Sequence, residues 1–226
     1  MACAGSETTG QYNFSAMRER MVETQIRARD VQNAAVLSAM ARVPRHLFVP
    51  DDLRPFAYDD RPLPIGRDQT ISQPYIVALM IQAAAVGPDD VVLEIGAGSG
   101  YAAAVISRIA DRVIAIERQH RLVEVASERV RRLGYDNVEI VEGDGTRGCA
   151  EKAPFNAILA AASGSHVPEP LLSQLASGGR LVMPLGNPGG IQELVKVTKD
   201  EDGLLRQESL GGVRFVPLIG AEGWQA

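Results

Sequence analysis

The rhythm of apolar and polar positions changes twice along the chain. From Phe14 to Val43 apolar residues recur at helical spacing: Met17, Met21 and Ile26 share one face, and Ala35, Val36, Ala39, Met40 and Val43 share a second, which Pro44 closes. Two amphipathic helices are predicted. Residues 44–74 break that rhythm with six prolines, at 44, 50, 55, 62, 64 and 74, so an ordered loop with little room for long helices is expected there. Pro74 is placed to open the next helix, Tyr75 to Val86, and Gly87 and Pro88 end it.

From Asp90 onward strand and helix signals alternate. The predicted strands are Val91 to Ile95, Arg112 to Glu117, Val138 to Glu142, Phe155 to Ala161 and Arg180 to Leu185, with helices at 101–110, 119–133 and 168–177 between them. Each strand is apolar nearly throughout, as strands covered on both faces must be. Two further runs, Glu193 to Thr198 and Val213 to Leu218, follow without an intervening helix and predict an antiparallel pair at a sheet edge. The fold class is therefore α/β: a mostly parallel central sheet with helices on both sides, an antiparallel edge pair and an N-terminal helical extension. A flexible lead-in at 1–12 is expected before a single domain at 13–226, in which helices and a loop (13–74) precede the sheet (75–226).

Composition narrows the partners. The 226 residues are 46% hydrophobic and 23% charged, which excludes a disordered or fibrous chain. With 23 Lys and Arg against 28 Asp and Glu, net charge is −5 and the pI about 5.3, so no broad basic face for nucleic acid is expected. The arginines at 118, 121, 129, 131 and 132, interleaved with Glu124 and Glu128, read as a solvated helix face. Cys3 and Cys149 cannot frame a disulfide scaffold, and neither a signal peptide nor a membrane-length apolar run is present. A reducing, cytoplasmic setting without membrane attachment is expected, with the chain acting as a monomer.

The strongest chemical signal is Val91-Val92-Leu93-Glu94-Ile95-Gly96-Ala97-Gly98-Ser99-Gly100, an apolar strand running into a glycine turn and then a helix. Glycine there lets backbone approach a ligand closely. Glu117 ends the next predicted strand 21 residues after Gly96, the spacing at which a carboxylate meets ribose hydroxyls in dinucleotide folds. Gly143-Asp144-Gly145 follows the third strand. Three strand ends thus converge on one crevice, where open α/β sheets bind ligands. Bland readings exist for single members: a ligand-free turn for the glycines, and a plain turn residue for Asp144. His46, His120 and His166 lack metal-ligand spacing, and no H-E-x-x-H, C-x-x-C or G-x-S-x-G run is present, which counts against a metal site and a serine hydrolase.

The G-x-G-x-G spacing after Glu94 lacks the third glycine of the dehydrogenase pattern and resembles the S-adenosylmethionine-dependent methyltransferases. Leu63 to Pro74, with its Pro64-Ile65-Gly66 and Gln69-Thr70-Ile71-Ser72-Gln73-Pro74 runs, sharpens this. So do Val43-Pro44-Arg45, Ala153-Pro154-Phe155, Gly178-Gly179 and Val213-Arg214-Phe215-Val216-Pro217-Leu218. Together, from about Met17 to Leu218, the chain resembles the protein-L-isoaspartate (D-aspartate) O-methyltransferases, repair enzymes that methylate the abnormal carboxylate formed when Asn deamidates or Asp isomerises. The resemblance implies a Rossmann-like methyltransferase fold, S-adenosyl-L-methionine as cofactor and damaged proteins and peptides containing isoaspartyl residues as partners.

Residue by residue, the resemblance implies that Ser72 is the active-site serine and that Gln69, Thr70 and Ile71 help enclose the cofactor. It assigns Glu94, Ile95, Gly96, Ala97 and Gly98 to the glycine-turn contacts, Glu117 to the ribose, Gly143, Asp144 and Gly145 to the adenine, and Gln192 to a late cofactor contact. Two positions depart from the family pattern: Val77 stands where some members have His, and Asn156 replaces the usual Asp of the Pro-Phe-Asp run. Seen alone, Ser72 also fits a helix N-cap before Pro74. Two other readings remain open at this point: a methyltransferase acting on RNA or a small molecule, and a cofactor-binding protein that has lost turnover.

Overall fold

The computed structural model describes residues 8–9 and 12–225, so most of the expected flexible lead-in at 1–12 lies outside the described residues, as does Cys3. Strands β1 (Thr8–Thr9) and β2 (Tyr12–Asn13) pair briefly before helix α1 (Phe14–Met21). Asn13 caps α1 by accepting the Ala16 N–H at 3.0 Å. The helix continues as wider π-helical turns over Val22–Arg27, which carry Ile26 into the same buried face as Met21. Helix α2 (Ala34–Arg42) starts on Asn33, whose side chain accepts from the N–H groups of Ala35 and Val36. Both predicted helices are present, with their apolar faces buried.

The proline-rich stretch is more structured than a loop. Two 3₁₀ turns, Arg45–Phe48 and Asp51–Phe56, precede a hairpin of β3 (Leu63–Gly66) and β4 (Gln69–Ile71). Its tip, Gly66-Arg67-Asp68, is left-handed throughout, with φ of 90°, 56° and 57°. Two non-glycine residues in that region give no turn signature that sequence rules recognise, which is why the hairpin was unforeseen. Helix α3 (Pro74–Ala83) follows, with Pro74 at its first turn.

The remaining elements are β5 (Val91–Ile95), α4 (Tyr101–Ile106), β6 (Arg112–Glu117), α5 (His120–Arg132), β7 (Val138–Glu142), β8 (Phe155–Ala160), α6 (Glu169–Ser173), β9 (Leu175–Leu185), β10 (Gln192–Lys199) and β11 (Leu205–Val213). They build one seven-stranded sheet in the order β11-β10-β9-β8-β5-β6-β7. The five strands from β9 to β7 are parallel, and β10 and β11 run antiparallel at one edge. Because β6 and β7 extend from one side of β5 while β8 returns to the other, the strand order reverses between β5 and β8. A crevice opens at their carboxyl ends.

Three boundaries differ from the sequence reading. The helix expected at 168–177 ends at Ser173, because Leu175 pairs with Phe155 and starts an eleven-residue strand. The helix expected at 101–110 ends at Ile106 and continues as turns. The last strand is Leu205–Val213 and not Val213–Leu218. Its residues are mostly exposed and polar, as suits an edge, so they carry no apolar alternation to read. Val213–Leu218 instead turns inward over the crevice: Ser163 N–H donates to Val216 O and Leu218 N–H to Ser163 O, both at 2.8 Å.

Charged residues serve mainly to fasten elements. Arg180 donates through Nε to Ala84 O at 2.7 Å and through Nη2 to Asp90 at 2.9 Å, tying the end of α3 to the entry of β5. On α5, Arg121 pairs with Glu124 and Arg131 with Glu128 at the surface, as the solvated-face reading expects, while Arg129 turns in to donate to Ser99 O at 2.7 Å. Asn156 lies at the start of β8, at the end of the sheet opposite the crevice, and its Oδ1 accepts the Val91 N–H at 2.9 Å. An aspartate would accept that bond equally well. Asn156→Asp should therefore leave turnover unchanged, whereas Asn156→Ala, which orphans the Val91 N–H, should lower stability by about 1 kcal/mol in urea unfolding. A large loss of turnover in Asn156→Asp would show that charge at this position reaches the crevice.

Candidate active site

The crevice is a cavity of about 1030 Å³. Its floor is the turn after β5, where Gly96, Gly98 and Gly100 all have positive φ (87°, 53° and 83°). A side chain at Gly98 would press on Ile65 of the hairpin, 3.3 Å from its Cδ1, so glycine there lets hairpin and turn close on each other. The turn is held from the neighbouring strand. Gly96 and Ala97 donate to Ile116 O, and Glu117 accepts the Gly98 N–H through Oε2 (3.0 Å) and the Gln119 N–H through Oε1 (2.9 Å). One carboxylate thus locks two adjacent turns, and its remaining lone pairs are free to accept from a ligand hydroxyl.

Glu94, the residue before Ile95, is 2% exposed, and its Oε2 has no hydrogen-bond partner. Burial pushes its pKa up to about 8, and the nearby Glu117 adds to the rise. A buried acid with an unpartnered oxygen, on the wall of this cavity, suits a ligand that brings positive charge or N–H donors. Such a group fits S-adenosyl-L-methionine, which carries a sulfonium and an ammonium. Glu94 and the glycine turn would hold that end, and Glu117 the hydroxyl-bearing part.

Eleven of the residues singled out in the sequence meet on this cavity: Gln69, Thr70, Ile71 and Ser72 on the hairpin side, Glu94 to Gly98 on the floor, and Glu117 and Gly145 on the far wall. Ser72 is half-buried, and the cap of α3 is Gln73 with no side-chain hydrogen bond, so the helix-cap reading of the serine does not hold. Val77 is buried on the same wall, where it leaves the lining apolar.

Gly143, Asp144 and Gln192 are not on the wall. Burial alone would raise the Asp144 pKa, but donors from the backbone of Ala221 and from Thr146 hold it below the ordinary carboxylate range. Its Oδ1 accepts from the Thr146 N–H (2.9 Å) and hydroxyl (2.7 Å), and its Oδ2 from the Ala221 N–H (2.8 Å). Asp144 thereby anchors the segment around Ala221 to the turn after β7. Gln192, 1% exposed, accepts the Phe215 N–H at 2.7 Å and donates to Phe215 O and Asn187 O at 3.3 Å, so it fastens the cavity wall from behind.

The sequence reading missed several lining residues. Tyr101, Arg118 and Gln119 follow directly on residues that had been singled out, and their adjacency was the available signal. Val213 to Ile219 line the opposite wall, but their apolar run had been read as a strand. Trp224 closes this wall by donating from Nε1 to Ser163 O at 2.9 Å. Among the described residues no cluster of potential metal ligands is found, and no helix is long and apolar enough to cross a membrane.

A parallel sheet with this strand order, a glycine turn flanked by two buried acids and a cavity at the switch point define an S-adenosylmethionine-dependent methyltransferase. The model of the family described as Protein-L-isoaspartate(D-aspartate) O-methyltransferase (PCMT) matches residues 16–223, and the chain belongs to that family. It is 52% identical over 228 residues to Protein-L-isoaspartate O-methyltransferase 1 of Rhodopseudomonas palustris (strain HaA2), covering 99% of this chain and 93% of the relative. It is also 52% identical to Protein-L-isoaspartate O-methyltransferase 2 of Pelobacter propionicus, covering 94% of each. A solved protein-L-isoaspartate O-methyltransferase superposes with a TM-score of 0.81 at 30% identity, over 91% of this chain and 67% of that one. A beta-aspartate methyltransferase (PCMT) from Plasmodium falciparum, in complex with S-adenosyl-L-homocysteine, gives 0.77 at 26% identity, over 89% and 98%.

The buried acid yields a test that needs no substrate. The folded-state pKa of Glu94, about 8, lies above the 4.5 of an unperturbed glutamate. Between those values the folded protein holds a proton that the unfolded chain has lost, so this group's contribution to stability is full below pH 4.5 and falls as pH rises to about 8. The slope from one such group approaches about 1.4 kcal/mol per pH unit. Glu94→Gln, neutral throughout, should flatten the fall in melting temperature of the ligand-free protein between pH 5 and 8. Parallel profiles for the two proteins would mean that Glu94 is ionised in the folded state.

Proposed function

We propose that this cavity transfers a methyl group from S-adenosyl-L-methionine to the abnormal carboxylate of L-isoaspartyl and D-aspartyl residues in damaged proteins, with Ser72 aligning the acceptor. The observation that carries the assignment of Ser72 is its place: a hydroxyl that caps no helix, on the wall of the cavity whose floor is the glycine turn and Glu94. When bound, the cofactor supplies an electrophilic methyl group on a positively charged sulfur. Everything else falls to the chain.

The acceptor is a carboxylate, already ionised at neutral pH because such groups titrate near 4. No general base is required, and none of the three histidines lines the cavity. Opposite charges approach and diminish during transfer, so an enclosed site favours the reaction. The task of the protein is then alignment. The Ser72 hydroxyl donates to one carboxylate oxygen and holds the other toward the methyl group. The hairpin β3–β4 closes over the floor through Ile65 and Gly98, and its tip is held by Gln119, whose Nε2 donates to Arg67 O at 3.3 Å.

Recognition must tolerate many sequences around one damaged residue, which calls for contacts to the peptide backbone. The cavity mouth is suited to an extended segment: Pro62 and Asp68 to Ser72 face Gly212 to Pro217 across it, with Ile191 exposed at the rim. The net charge of −5 and the paired arginines of α5 support a protein acceptor over RNA. That the enzyme works as a monomer in the cytoplasm belongs to the same proposal.

The decisive assay offers the chain an isoaspartyl peptide beside its normal aspartyl twin, with labelled cofactor. Transfer to the first and not the second is expected, and equal transfer, or none, would overturn the proposal. Ser72→Ala should lower kcat by about tenfold to a hundredfold with the melting temperature retained, from the loss of one charge-assisted hydrogen bond. Full turnover in that variant would remove Ser72 from the alignment of the acceptor.

A further inference from the structure

Ser72 sits in a poorly supported piece of chain. On one side, Ile71 is the last residue of β4 and pairs with Leu63; on the other, α3 begins at Pro74. Neither element secures the carbonyl of Ser72. Behind the residue a second, small void of about 30 Å³ lies between Ser72, Val77, Ile106 and Leu159, so packing from below does not fix it either. The carbonyl of Ser72 is held by Arg45, whose Nη2 donates to it at 2.8 Å.

Arg45 is an expensive way to hold one carbonyl. It is 0% exposed, and no carboxylate pairs with it among the described residues, so burial pulls its pKa below the ordinary guanidinium value. Its Nη1 has no hydrogen-bond partner, and what compensates the rest is a set of contacts that only a planar fork can make at once. Nε donates to Ala57 O at 2.7 Å, Nη2 to Ser72 O, and the guanidinium lies over the ring of Tyr101, with Cζ 4.8 Å from the centroid. Tyr101 is the first residue of α4, directly after the glycine turn, and lines the cavity itself. One side chain therefore joins the serine's backbone, the floor of the cofactor site and the end of the second 3₁₀ turn.

From this we infer that Arg45 is a positioning residue for methyl transfer: it fixes the backbone of Ser72 relative to the glycine turn, and so sets where the serine hydroxyl meets the acceptor carboxylate. Arg45 does not line the cavity. The inference rests on the alignment role proposed for Ser72. A lysine could replace the charge but could not span two carbonyls while stacking on the ring.

The test measures kcat and KM on an isoaspartyl peptide for Arg45→Lys, Arg45→Gln, Ser72→Ala and the two double variants. Each rate is normalised to the number of cofactor sites counted by calorimetric titration with S-adenosyl-L-homocysteine. Arg45→Gln keeps a planar amide and covers the case in which the lysine variant does not fold. We expect either Arg45 variant to lower kcat per cofactor site about tenfold, with KM changed less than threefold. In the Ser72→Ala background the same change should cost less than a further twofold. Three results overturn the inference in different ways. Arg45 variants within twofold of the parent kcat, beside an impaired Ser72→Ala, would leave Ser72 aligned without Arg45. Losses that multiply in the double variants would mean that Arg45 acts by another route. Full activity in Ser72→Ala would bring down the serine reading on which the inference stands.

Discussion

Two carboxylates, Glu94 and Glu117, are buried at the carboxyl ends of adjacent strands, and the site is arranged around the difference between them. Glu117 is satisfied by two backbone N–H groups, one from each neighbouring turn, and so is a fastening. Glu94 has an oxygen with no partner and a pKa pushed into the neutral range, and so is an incomplete site. Parallel pairing forces them close, since Glu94 lies in register with Ala115, two residues before Glu117. A cationic ligand would give the unpartnered oxygen a partner and favour the ionised form of Glu94.

The two sides of the cavity are built by different means. The donor side consists of strand ends and a turn whose geometry follows from sheet hydrogen bonds, with glycines where hairpin and turn approach each other. The other side, from the hairpin to residues 213–224, has only short ladders: β3 pairs with β4, and Ser163 exchanges backbone bonds with Val216 and Leu218. Side chains supply the remaining ties: Gln192 pairs with Phe215 as a strand would, Asp144 receives Ala221, and Trp224 reaches Ser163. A sheet is the rigid choice for a ligand that never varies, and individually tied loops suit a polypeptide acceptor whose neighbouring residues change with every encounter.

That division also explains what could be read from sequence. The strands β5 and β6 were legible to the residue because burial on both faces leaves a nearly uninterrupted apolar run, β7 because Val138, Ile140 and Val141 stand out even at the sheet edge, and the glycine turn because its composition is specified by backbone geometry. The hairpin at 63–71 was not, since its turn places Arg67 and Asp68 in a left-handed conformation that neither residue advertises. Nor was the true edge strand, whose exposure removes any alternation. Asp144 and Gln192 were visible as polar residues in suggestive places, but their bonds to Ala221 and Phe215 span 77 and 23 residues, beyond the reach of a local pattern. Arg45 was noticed as part of a recurring run, and its contacts to Ala57 and Ser72 span 12 and 27 residues, a coupling that no local pattern encodes.

The side-chain ties of the acceptor wall also bear on how such a protein can diversify. A change in a sheet ladder propagates through every strand beside it, whereas Gln192, Asp144 and Trp224 each secure one point of the wall. Substitutions among them reshape the mouth one hinge at a time while the sheet beneath keeps its register. The molecule thus separates an inherited half, closed to experiment because too much leans on it, from a half in which selection can explore new acceptor surfaces in single steps.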